Sequence, residues 1–185
     1  SAIKHDNAYS PRYRGYTYLS SVAELEPDGP EEAQALSLIR DWDLHTDTAN
    51  RNAALGVCIL LEEWQAERTG NPLPDARETL HTCMESVRDV AGRLDPEWGT
   101  VQQHGRGKRS WPAAGGPDTL RAMYAEQLED EDDFLTVVAG DGLYYLIEWS
   151  ADGEQMIRGT HQYGSQMTDE SSPHYLDQAE SFSQE

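Results

Sequence analysis

The chain has almost no lysine. Of its 14 Lys and Arg residues only Lys4 and Lys108 are lysine, against 34 Asp and Glu, and the formal net charge is −20. That balance removes the positive footprint that nucleic acid and anionic membrane surfaces require, so neither is an expected partner. Cysteine is nearly absent too. Cys58 and Cys83 make neither a disulfide framework nor a Cys-x-x-Cys metal site. Each falls on the apolar face of a predicted helix, which predicts buried free thiols. No apolar run reaches the length of a bilayer span, and no signal peptide opens the sequence. Internal repeats and low-complexity linkers are missing, and the 185 residues allow one domain with a real core or two small lobes. Few lysines beside many carboxylates suit a high-salt cell, where screening relieves self-repulsion. An ordinary acidic mesophile protein is the plainer alternative.

Residues 1–22 are tyrosine-rich without helical periodicity, and Ser10-Pro11 reads as a turn. A helix is predicted after Pro27-Asp-Gly-Pro30, with Pro30 in the first turn and Glu31 and Glu32 at the positive end of the dipole. Ala35, Leu38, Ile39 and Trp42 supply its stripe. A second helix is predicted over 48–68, marked by Ala54, Val57, Cys58, Leu61 and Trp64 and stopped at Thr69-Gly-Asn-Pro72. A third covers 75–92, with Leu80, Cys83, Met84, Val87 and Ala91 on one side. Residues 98–104 could be a short strand, followed by loops at 105–109 and 112–117. Three strands are then predicted at 134–139, 143–150 and 154–162, joined at Gly140-Asp-Gly142 and Ala151-Asp-Gly153, each a hairpin signal. Leu143, Tyr145, Ile147 and Trp149 share one face of the middle strand, and Tyr144 and Leu146 make the other apolar, as for a strand buried between layers. Helices first and antiparallel strands later give an α+β fold. The divisions are 1–29, a helical lobe at 30–94, and strands with the tail at 95–185.

The tail, residues 161–185, is too polar to predict a core element, yet Ser172-Pro173-His174-Tyr175 and Asp177-Gln178 stand in it. These resemble the C-terminal signature of the penicillin acylase family, roughly S-x-G-Q-S-x-x-P-x-S-x-H-Y-x-D-Q. That family comprises N-terminal-nucleophile amide hydrolases, including acyl-homoserine-lactone, aculeacin and cephalosporin acylases. Gly164-Ser165-Gln166 has Ser and Gln exchanged relative to the pattern. Asp41-Trp42-Asp43, Trp98-Gly99 and Gly115-Gly-Pro-Asp-Thr119 also look like acylase sequence. The resemblance implies part of an α-β-β-α sandwich, a single partial domain with its helices packed outside the sheets. It also implies that Asn7, in His5-Asp6-Asn7, matches the family's second Asn of an Asn-x-Asn segment. That residue donates its side-chain N–H to the oxyanion hole; His5 replaces the first Asn. A neutral amide suits the task, because it cannot lose its proton at working pH. The alternative for Asn7 is a turn cap.

In this family the nucleophile is the hydroxyl of an N-terminal residue, and the free α-amine of the same residue is the base. Ser1 has the right type, but Ala-Ile-Lys follows it rather than an Asn-led strand. The nucleophile is therefore expected elsewhere, and Ser1 at a cloning or truncation boundary. The expected function is one part of an amidohydrolase that cleaves a linear amide between an acyl group and an amine, of β-lactam side-chain or acyl-homoserine-lactone type. Its partners would be the remainder of the acylase, namely the alpha chain and the nucleophile-bearing segment, and a small-molecule amide. No cofactor is expected, and any structural calcium would lie elsewhere in the parent. The family resemblance suggests a periplasmic or exported enzyme. A non-catalytic, stand-alone interaction domain on the same scaffold is the rival class. Other chemistries have weaker signals. Ser172, His174 and Asp177 lack a nucleophile elbow. His161 and His174 with Asp169 or Asp177 lack zinc-ligand spacing, and His174 is expected to pin the tail to the sheet. The Asp130–Asp133 run lacks the alternation of a calcium loop, and the basic run at 105–109 lacks a phosphate-loop ending.

Overall fold

A computed structural model describes residues 7–128, 133–166 and 168–184. The acidic run at 130–133 lies mostly outside them. The mixed α+β order holds. Helices α1 (Tyr16–Ala23), α2 (Pro30–Arg40), α3 (Ala53–Thr69) and α4 (Ala76–Ala91) come first, followed by the short α5 (Trp98–Val101). Strands β1 (Gln102–Arg106), β2 (Arg109–Pro112), β3 (Met123–Glu126), β4 (Leu135–Gly140), β5 (Leu143–Trp149) and β6 (Gln155–His161) follow, and α6 (Ala179–Gln184) ends the order.

Local chemistry accounts for the helix ends. Pro30 occupies the first turn of α2 after Gly29. Asp75 caps α4 by accepting from the N–H groups of Arg77 and Glu78. Gly70 and Gly92 close α3 and α4 in the left-handed conformation. Glu32 does more than complement a dipole. It is buried, accepts from Asp28 N–H at 2.7 Å and meets His81 Nε2 at 2.6 Å and the Arg77 guanidinium. Those bonds, led by the one from Asp28, hold its carboxyl at about 2 and tie the first turn of α2 to α4. The tyrosine-rich start is not free of helix: α1 buries Tyr18, Leu19 and Val22. Tyr18 keeps its hydroxyl satisfied there, 3.1 Å from Pro74 O and 2.6 Å from Thr79 Oγ1.

The helical core joins Leu36, Ile39, Trp42, Leu55, Ile59, Leu60, Leu80, Met84 and Val87. Trp42 lies so close to Gly56 that a Cβ there would fall 2.1 Å from its ring, so only glycine fits. The free-thiol expectation is overturned: Cys58 and Cys83 form a disulfide, with Cα atoms 5.8 Å apart. The reason is geometric. The short connection folds α4 back along α3 as an αα-hairpin, and the two apolar faces bearing the cysteines face each other within bridging range.

The strands do not follow a simple hairpin series. One sheet has the order β2-β1-β4-β3, with β1–β4 parallel and the other pairs antiparallel; β5–β6 form a separate hairpin. The first Asp-Gly is therefore no hairpin. Gly140 has φ +137°, a Cβ on it would meet Ala122 O at 2.1 Å, and Asp141 N–H donates to that same oxygen. The chain is bent away from β4 at this point and leaves the sheet. The second, Asp152-Gly153, does turn β5 into β6. The stretch expected as a strand at 98–104 begins as a helical turn, held by Trp98 N–H on Asn50 O and Gly99 N–H on Thr48 O. The loop expected at 105–109 is instead the turn of a β1–β2 hairpin, at Gly107, while the loop expected at 112–117 is present beyond the end of β2.

The middle strand is not covered on both faces. Tyr145, Leu146, Ile147 and Trp149 of β5 and Met156 and Ile157 of β6 are all exposed, Trp149 by 67%. Only Tyr144 turns inward, against Phe182. The tail contradicts its polarity. Phe182 is fully buried, packed on His104 and Tyr144, and its carbonyl accepts from the buried Arg121 at 2.7 Å.

Candidate functional site

Asn7 stands on extended backbone, not at a turn. Ala8 bridges His45, Tyr9 N–H donates to Leu44 O, and Asn7 O accepts from both the N–H and the hydroxyl of Thr46. Its side chain is buried. Nδ2 donates to Asp47 Oδ1 at 3.3 Å, while Oδ1 has no hydrogen-bond partner among the described residues. The other Asp47 oxygen lies 3.8 Å from His45 Nδ1. Asn7 and Asp47 line a cleft of about 640 Å³ together with Thr48, Trp111, Arg121 and Ser183. Thr48 is positioned by the pairing with Gly99, and Ser183 by its hydroxyl on Pro112 O.

The strand that carries Asn7 is anchored at its far side by phenols. Tyr9 donates to Pro117 O at 2.6 Å, and burial raises its pKa well above the ordinary value. Asp118, at φ +59°, accepts from Tyr13 at 3.3 Å, Arg14 at 3.2 Å and Tyr124 at 3.1 Å. Burial, reinforced by the Asp118 charge, pushes the Tyr13 phenol up to about 12, so it stays a donor. Buried Glu63 adjoins this group; burial raises its pKa, with Glu67 and Asp118 adding to the rise and Arg14 opposing it. Gly115-Gly-Pro-Asp-Thr119 thus acts as a clasp for the 7–14 segment. Trp98 takes part, its indole N–H donating to Gly115 O at 2.9 Å.

Sequence reasoning missed His104. It is buried beside Arg121 and Phe182, with Nδ1 2.7 Å from Gln162 Nε2. Burial, then the Arg121 charge, lowers its pKa to about 4, so the ring is neutral. No motif surrounds it; only the strand pattern of 102–106 could have marked it as inward-facing. The expected roles in the tail shift as well. His174 bonds within the tail, to Asp177 Oδ2 at 2.8 Å, with its carbonyl accepting from Gln166 N–H. The pins to the sheet are others. Gln178 Oε1 accepts from His161 N–H, and Arg106 lies between the rings of Tyr163 and Tyr175, 4.9 and 4.3 Å from their centroids. Ser172 and His174 thus stay within one local loop and are not combined with the cleft at Asn7.

Ser1 and His5 lie outside the described residues. Among the described residues no group of three or more His, Cys, Asp and Glu side chains could hold a metal ion, and no helix is long and apolar enough to cross a membrane. No protein-family model and no curated protein matches the chain.

Proposed function

We propose that the chain is one part of a penicillin-acylase-like amidohydrolase that cleaves a linear amide between an acyl group and an amine, of β-lactam side-chain or acyl-homoserine-lactone type. The observation that carries this reading is the setting of Asn7: a buried carboxamide on a clamped, extended backbone at the wall of a cleft. A turn cap would have its side chain on its own backbone. One N–H of the carboxamide is engaged by Asp47, which leaves the second to donate to a carbonyl oxygen as it becomes an oxyanion. The nucleophilic hydroxyl and the α-amine that takes its proton come from the partner segment. The hydroxyl oxygen attacks the amide carbon, the oxyanion forms against Asn7, and the C–N bond then breaks as the amine leaves with a proton. The bare apolar faces of β5–β6 support the same reading, because such a hairpin suits the interior of a sandwich whose other layer comes from the partner.

The test uses the enzyme assembled from this chain and its nucleophile-bearing partner, with a chromogenic acyl amide. Asn7→Ala lowers kcat by about 10²–10³ with KM little changed, and Asn7→Asp does at least as much harm because a carboxylate repels the oxyanion. A kcat within about threefold of the parent removes Asn7 from the reaction. The isolated chain gives no turnover; turnover abolished by Ser1→Ala would instead make Ser1 the nucleophile. The rival reading, a non-catalytic interaction domain, draws on the helices, whose buried side chains form one continuous core with Tyr9, Trp98 and Val101. It predicts that no partner restores turnover.

A further inference from the structure

We infer that Asp47 is a positioning residue for Asn7: it selects which end of the carboxamide can reach the oxyanion. This rests on the oxyanion role proposed above. The backbone of Asn7 is fixed by Thr46 and by the Ala8–His45 bridge, but that does not decide the rotation of the side-chain amide. Its two ends are nearly the same size, and a half-turn exchanges Nδ2 with Oδ1. The two ends face unequal surroundings. Nδ2 has Asp47 Oδ1 at 3.3 Å, and Oδ1 has no hydrogen-bond partner among the described residues. A half-turn would set the amide oxygen against a carboxylate oxygen, two acceptors with no proton between them. The choice therefore rests on Asp47 alone among the described residues. The backward orientation would present a lone pair to the oxyanion and repel it.

The carboxylate does this at small electrostatic cost to the reaction. The Asp47 side chain is 61% exposed, so water and salt screen its charge from the developing oxyanion, while the hydrogen bond to Nδ2 remains local. Its second oxygen lies on the side of His45 Nδ1, away from that bond.

Two measurements decide the matter. The first uses the 185-residue chain, labelled with nitrogen-15, and needs no activity. In the parent the Asn7 side-chain NH₂ gives two separate resonances that exchange slowly with solvent. Asp47→Ala shifts them toward the positions of a free carboxamide and accelerates exchange, with the melting temperature unchanged, whereas Asp47→Asn, which keeps an acceptor oxygen, retains most of the protection. Unchanged Asn7 resonances in Asp47→Ala overturn the inference. The second uses the assembled enzyme. Asp47→Ala lowers kcat roughly tenfold with KM held, and Asp47→Asn recovers part of the loss. A kcat loss below about threefold in Asp47→Ala overturns the inference even where Asn7→Ala is strongly impaired. If Asn7→Ala itself turns over normally, the oxyanion reading fails, and this inference falls with it.

Discussion

Opening the Cys58–Cys83 bridge tests whether the helical lobe depends on a covalent staple. The bridge closes a loop of 25 residues between α3 and α4. Chain-entropy reasoning assigns such a loop about −11.7 cal/mol/K, or about 3.5 kcal/mol at 25 °C. In a chain of this length each kcal/mol moves the melting midpoint by roughly 2–4 °C, so its loss lowers the midpoint by roughly 7–14 °C. The assay compares three samples by circular dichroism: the oxidised protein, the same protein under a phosphine reductant, and Cys58→Ala/Cys83→Ala. Alanine is preferred to serine because Cys83 is completely buried, where an unpaired hydroxyl carries its own penalty. The reduced protein and the double alanine variant melt together, well below the oxidised one. Mass spectrometry of the native protein under denaturing, non-reducing conditions finds it two hydrogens lighter than its reduced form. Two freely titrating thiols, or coincident melting curves with and without reductant, refute the reasoning.

Salt is the next lever. With a net charge of −20, the melting midpoint rises as potassium chloride goes from low to molar concentration; a flat series removes the salt-adaptation reading. Glu32 gives a pH signature. Its folded pKa is depressed from 4.5 to about 2, so its stabilising effect is present above pH 4.5 and fades as pH falls toward 2. Glu32→Gln is accordingly less stable than the parent at neutral pH, and the gap closes in acid; a gap that persists unchanged at pH 2 contradicts the assignment.

The legible parts of this chain were those whose causes are local. The stripe of α4, Pro30 at the start of α2 and the stops at Gly70 and Gly92 announce themselves within a few residues, whereas α3 buries Leu55, Ile59 and Leu60 outside its expected face and leaves Cys58, Leu61 and Trp64 half-buried. The turn at Asp152-Gly153 is also announced locally. What stayed hidden depends on residues far apart in sequence. β4 pairs with β1 and β3, not with its neighbour β5, and α1 hides because the hydroxyl of its buried Tyr18 is satisfied by Pro74 and Thr79. The disulfide needs the facing of two helices, and burial of Phe182 needs Arg121, which no composition count supplies. At the candidate site, Asn7 was marked by resemblance alone. Its hydrogen bond to Asp47 spans 40 residues and is invisible to any local pattern.

The burial of Phe182 also sets an order on the protein's synthesis. Its carbonyl is the acceptor for Arg121, 61 residues earlier, and its ring completes a small core with Ala113, Met123 and Val137. At a translation rate of about 5–20 residues per second, roughly 3–12 seconds separate the two residues. The helical lobe lies wholly upstream and can close while the ribosome is still working. The sheet cannot: through that interval Arg121 waits without the carbonyl it will bind, and the inner face of β3–β4 waits without its lid. α6 is thus a timing element: until it emerges, the helices can be finished while the sheet still presents an adhesive face.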